Sequence, residues 1–156
     1  MSTELDVLRN LVEWSLKLID DGLPAPFSAG TAVVWVAATD DALMSQPTYR
    51  GRRDKHPDGQ VIDGLRLARN AVVHGAVLAT ESEGLKFPLE YPMDFGPMVW
   101  VAYERLTAQW QPMGKLADLT VQRAAYEAHV SRQELRVPVA RALSWFDEVR
   151  ERGWVA

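Results

Sequence analysis

Cysteine is absent from the chain. Disulfide staples, thiolate zinc sites and a cysteine nucleophile are excluded together. Histidine is scarce as well: the 3 histidines, His56, His74 and His129, lie far apart and form no His-x-x-x-His pair. A dedicated transition-metal site is therefore not expected, although a single carboxylate can still hold magnesium. No segment implies a cofactor. Long apolar runs are also missing, none approaching the roughly 20 residues that span a bilayer. The opening residues, Met1 to Asp6, are polar and acidic, unlike a secretory or transit leader. The expectation is a soluble, cytoplasmic protein with no membrane partner. Positive charge is not in excess, since 17 Lys and Arg stand against 21 Asp and Glu, for a net charge of −4. General binding to duplex DNA is disfavoured, whereas a local basic patch meeting a short stretch of RNA is not.

What is present is ordinary for a globular protein: 156 residues, 47% hydrophobic and 24% charged. That length fits one domain, residues 1–156, with a real hydrophobic core. Repeats and low-complexity segments are lacking.

Periodicity points to a mainly α-helical fold. Leu8, Leu11, Val12, Leu16 and Ile19 recur at helical steps and predict a helix over Leu5 to Asp21. Ser2 or Thr3 can cap it, and Gly22, Pro24 and Pro26 end it. A second helix is expected over Ser28 to Ser45 with Ser28 as N-cap, although Thr31 to Ala38 is rich in β-formers. Gln46 to Gly59 reads as a loop and Gln60 to about Thr80 as the third helix, followed by a break at Glu81 to Gly84. Phe87, Leu89, Tyr91, Met93 and Phe95 then alternate with Pro88, Glu90, Pro92, Asp94 and Gly96. A period of two means extended chain, and the prolines confine it to an edge or arm. Met98 to Tyr103 is the expected hairpin partner of this arm. A helix capped by Asp118 or Thr120 should reach Ser131 and bury Tyr126. The last helix should open at Pro138, bury Val139, Ala142, Leu143, Phe146 and Val149, and end at Gly153.

The third helix carries the candidate site. Val61, Leu65, Ala68, Val72 and Ala76 make one apolar face, Ile62 and Val73 widen it, and Leu67, Ala71 and Leu78 make part of the opposite side apolar too. A helix greasy on two sides is buried on both. Across it runs a polar line, Asp63, Arg66, Asn70 and His74, with Arg69 about 100° to the side of Asn70. Burying such groups is costly unless they are paired. Histidine moves protons near neutral pH, and arginine presents a fork that fits phosphate. Asn70, one turn before His74, can orient the imidazole or bond a phosphate oxygen. These groups suit RNA phosphodiester cleavage without metal: His74 assisting attack of the 2′-hydroxyl or protonating the leaving oxygen, Arg69 stabilising charge on phosphorus. In an ideal helix Arg69 and His74 point about 140° apart, so two such helices across a dimer axis would form the cleft better than one. The plainer reading is a solvated polar stripe.

Arg69-Asn70-Ala71-Val72-Val73-His74 resembles the motif of the HEPN superfamily, an arginine and a histidine separated by four to six residues with a polar residue after the arginine. The approach Gly64-Leu65-Arg66-Leu67-Ala68 and the tail from Tyr126 to Leu143 resemble actinobacterial HEPN-like proteins. The resemblance implies a four- to five-helix up-and-down bundle that dimerises through the motif helix. It further implies a metal-independent endoribonuclease of a toxin–antitoxin or phage-defence system, with Arg69 and His74 catalytic, Asn70 supporting, and an antitoxin or regulatory protein as partner. Some members are inactive. The alternatives are then a silent helical module binding a protein partner or a nucleotide, or a structural protein of a phage or mobile element. The Phe87 to Tyr103 arm departs from a minimal bundle and could cover the cleft or build the dimer.

Other residues bear on RNA. Arg66 lies on the motif helix, and the segment before it holds Arg50, Arg52, Arg53, Lys55 and His56. It could guide RNA to the helix with Tyr49 stacking on a base, or it is an ordinary solvated loop. Most tryptophans are expected to anchor core or interface, with Trp110 and Trp154 the better candidates for partner contact. His56 and His129 read as surface residues, and Glu90 and Asp94 as charges guarding an exposed edge.

Overall fold

The computed structural model describes residues 3–75, 79–84 and 96–154. The fold is mainly helical, with seven helices and one small sheet among the described residues. Helix α1 spans Glu4–Asp20 and opens in a capping box. The Thr3 hydroxyl accepts from the Asp6 N–H at 3.2 Å, and the Asp6 carboxylate accepts from the Thr3 N–H at 2.9 Å. Gly22, at φ +73°, turns the chain beyond its end. Arg9 ties this helix to the last one through Asp147, 2.7 Å away.

Helix α2, Ala25–Leu43, starts earlier than its sequence suggested. Pro24 and Pro26 lie at its entrance, where a missing N–H does no harm. Ser28 is consequently inside the helix, buried, with its hydroxyl on the Pro24 carbonyl instead of capping. The β-rich run is helical because Ala29, Ala32, Val33, Val36 and Ala37 all find a core to fill. Where a loop was expected, Pro47–Arg53 forms the short helix α3. Proline sits at its N1 position, and Tyr49 and Arg53, one turn apart, are both buried beneath it.

Helix α4, Pro57–Gly75, begins three residues before the expected start and stops short of the expected Thr80. It packs against α2 and α3 and against two later helices, α6 (Leu116–His129) and α7 (Arg136–Glu151), and is the centre of the fold. Val61, Ile62, Leu65, Leu67, Ala68 and Ala71 are buried along it. Gly64 sets its distance from α6: an added Cβ would lie 2.8 Å from Val130 Cγ2 and 3.0 Å from the Tyr126 backbone.

Strand β1, Thr80–Ser82, pairs antiparallel with β2, Met98–Trp100, in the register Thr80↔Trp100, Glu81↔Val99 and Ser82↔Met98. The expected break at Glu81 is thus a strand, paired with β2. The Phe87–Phe95 alternation, expected to pair with Met98 to Tyr103, lies outside the described residues. Trp100 is fully buried and donates from its indole to the Leu135 carbonyl. Helix α5, Tyr103–Thr107, leads towards α6, which has no side-chain cap bond. Asp118 and Thr120 lie inside its first turns instead. Tyr126 is buried as expected and donates to the Val101 carbonyl at 2.7 Å. Pro138 stands in the first turn of α7 and not at its first residue. The stripe Val139, Ala142, Leu143, Phe146 and Val149 is buried as read. Gly153, at φ +60°, ends the helix, with Gly153 N–H donating to Arg150 and Trp154 N–H to Val149. Among the described residues no helix is long and apolar enough to cross a membrane.

Candidate functional site

The polar line on α4 divides into two halves. In the first, Asp63 and Arg66 belong to a buried ionic cluster centred on Asp40 of α2, which is wholly buried. Asp40 accepts from the Tyr49 hydroxyl at 2.6 Å, from Arg53 Nε at 2.7 Å and from Arg66 Nη1 at 2.8 Å. Arg53 also grips Asp63, at 2.7 and 3.1 Å. Burial opposes the charge on Arg53, but the Asp40 and Asp63 carboxylates more than offset it and hold its pKa above the usual value. Burial, helped by the Asp40 charge, pushes the Tyr49 phenol well above its usual value.

These positions correct part of the sequence reading. Tyr49 is fully buried beneath α3, so its ring is not a platform for a base. Arg53 is saturated by carboxylates and has nothing to offer a phosphate. Arg66 is divided: Nη1 is held by Asp40 and Asp41, while its side chain remains 26% exposed. Asp40 and Asp41 went unread in the sequence. Their signal was a pair of acids closing an otherwise apolar helix.

The second half is different. Arg69 and Asn70 are half-buried and His74 is exposed. The Arg69 guanidinium donates from Nη1 to Asn70 Oδ1 at 2.9 Å, and its Nη2 lies 3.8 Å from Asp41. Helix geometry alone would point Arg69 away from His74. The bond to Asn70 ties the guanidinium to the residue one turn before His74. Val73, beside them, is 52% exposed and so does not widen the buried apolar face as its spacing suggested, whereas Ile62 does. At Gly75, the last described residue of the helix, the Trp110 indole packs so tightly that a Cβ would lie 2.5 Å from its ring. Trp110 is thereby an anchor for the end of the motif helix.

A cleft of about 770 Å³ runs between α3, α4 and α6, floored by the Asp40 cluster and edged by Arg50, Gln122 and His129. Burial, with the Arg141 guanidinium nearby, lowers the pKa of His129. Arg50 and Arg52 are exposed, as the loop reading required, although they sit on a helix. His56 stacks on Trp145, ring centroids 5.0 Å apart, and its Nε2 is 3.5 Å from Glu148. Compared with family models, curated proteins and solved structures, the chain finds no match.

Proposed function

We propose that the protein is a metal-independent endoribonuclease of HEPN type, acting as a homodimer in a toxin–antitoxin or phage-defence setting. The observation that carries this reading is the bond from half-buried Arg69 to Asn70, one helical turn before the exposed His74. One such group binds and neutralises a phosphate; the other transfers protons. In the proposed reaction His74 takes the proton of the 2′-hydroxyl as O2′ attacks phosphorus. The P–O5′ bond breaks and the leaving oxygen is protonated, giving a cyclic phosphate and a 5′-hydroxyl. Arg69 stabilises the charge that builds on the phosphoryl oxygens. A second copy supplies a second imidazole, so that base and acid need not be the same residue. Exposed Val73, with Phe27 and Val34 exposed on the adjoining α2, supports a second copy there.

The test is cleavage of single-stranded RNA in EDTA, with end-group analysis. Cyclic-phosphate products that vanish in both Arg69→Ala and His74→Ala are expected. Cleavage persisting in His74→Ala ends the proposal.

One observation favours a second reading, an inactive helical module that binds a protein partner. Met113, Leu116 and Val121, around the start of α6, are 89%, 81% and 54% exposed. Exposed large apolar side chains suit such a partner, whether it silences a nuclease or is the whole function. That reading predicts no cleavage at any protein concentration.

A further inference from the structure

Among the described residues, most arginines are held by carboxylates: Arg9, Arg53, Arg66, Arg105, Arg123, Arg136, Arg141 and Arg152 each have one at hydrogen-bond distance. Among the described residues no carboxylate is at hydrogen-bond distance from Arg52 or Lys55, nor from Arg50 or Arg132. Both are exposed, and both edge a second cleft, of about 540 Å³, that contains His56, Trp145 and Trp154. Trp154 is half-buried, tilted against Trp145 at 5.7 Å, and Arg52 lies over its ring at 4.3 Å. Glu148, the carboxylate nearest His56, is held by Arg152 at 2.9 Å and adds no free negative charge. A chain of net charge −4 thus keeps two exposed cations beside a row of three aromatic rings in contact, His56 stacked on Trp145 and Trp154 tilted against it.

We infer that this cleft is a docking subsite for single-stranded RNA, with a base stacked on the Arg52–Trp154 pair and phosphates held by Arg52 and Lys55. Aromatic rings and guanidinium planes accept any base, and flanking cations track the backbone. His56 precedes the first turn of α4 and His74 lies at its other end, about 27 Å away along the axis. The subsite therefore anchors a strand at a distance from the Arg69–His74 groups. It rests on the ribonuclease reading for the identity of the strand, and its role there is in binding rather than in the chemical step.

The experiment measures binding of a fluorescent oligouridylate, long enough to span α4, to the His74→Ala chain, which leaves the RNA intact. Trp154→Ala is expected to weaken binding about tenfold, and Trp154→Phe to restore most of it. Arg52→Gln with Lys55→Gln, both at exposed positions that leave the fold alone, should lower the slope of log affinity against log salt by about 1.4. That double variant decides the matter if Trp154→Ala fails to fold. Unchanged affinity and slope, or no binding of the oligonucleotide at all, overturns the subsite. Cleavage by the unmodified chain with binding indifferent to these changes would leave the ribonuclease standing without it. Binding that depends on them in a chain that never cleaves would leave the subsite standing and remove the ribonuclease.

Discussion

Arg53 donates to Asp40 and to Asp63 at 2.7 Å each, so one guanidinium joins the end of α2 to the first half of α4. The side chains of Arg53 and Asp40 are 4% and 1% exposed, so both charges have left water. Such a pair adds little net stability over an apolar replacement, but breaking it strands a buried charge. Asp40→Ala removes the shared acceptor of Tyr49, Arg53 and Arg66. It should destabilise the chain by about 3–5 kcal/mol in urea unfolding. Arg53→Lys should fail to rescue, because a single ammonium cannot make both bidentate contacts. A loss below about 1 kcal/mol for Asp40→Ala would mean that the cluster is wet and weakly coupled.

The same cluster marks where the sequence stopped being readable. Local signals were legible: Thr3 capping α1, Gly153 ending α7 and the buried stripe from Val139 to Val149 all follow from neighbours in the chain. The arginine, asparagine and histidine of α4 were also legible as a group, since helical spacing alone places Asn70 and His74 together. Long-range partners were not. Nothing local distinguishes Arg53, which meets Asp40 and Asp63, from Arg50 and Arg52, which stay in water. Pro24 and Pro26 were read only as the end of the first helix, yet proline both ends one helix and starts the next. The strand at Thr80 was hidden because three residues carry too little periodicity to register.

Gly64 makes a sharper packing prediction. Alanine there gains helix propensity of about 0.5–1 kcal/mol. Its Cβ, however, would meet Val130 Cγ2 at 2.8 Å and the Tyr126 backbone at 3.0 Å. Backbone cannot step aside as a side chain can, so overpacking should win by about 1 kcal/mol or more. Gly64→Ala is therefore expected to lower Tm, and Gly64→Val to lower it further. A raised Tm in Gly64→Ala would show that α6 can slide away at little cost.

Alkaline pH should expose a linkage between phenol ionisation and folding. Burial raises the pKa of Tyr126, with the Glu81 charge adding to it, and burial raises that of Tyr49 above the usual 10. For a group whose folded pKa is raised, the unfolded chain releases the proton first. Stability is then complete below about pH 10 and falls as pH climbs above it. Phenolate absorbance should show Tyr49 and Tyr126 ionising only as helical circular dichroism is lost. Tyr126→Phe should remove part of the alkaline slope. A slope identical in the variant would assign the alkaline transition to other groups.

The proposed dimer can be separated from the proposed chemistry at Val73. This side chain is 52% exposed between Arg69, one turn earlier, and His74, and contributes nothing to the core. A charge placed there should leave monomer stability within about 0.5 kcal/mol of the parent. It would nonetheless be costly in an interface where apolar surface is buried against a second copy. Val73→Glu is expected to turn a dimer into a monomer in light scattering and to abolish cleavage, although Arg69, Asn70 and His74 are untouched. A parent chain that is already monomeric, or a monomeric Val73→Glu that cleaves at the parent rate, would show that one copy suffices. The acid and base roles would then have to be filled from a single α4.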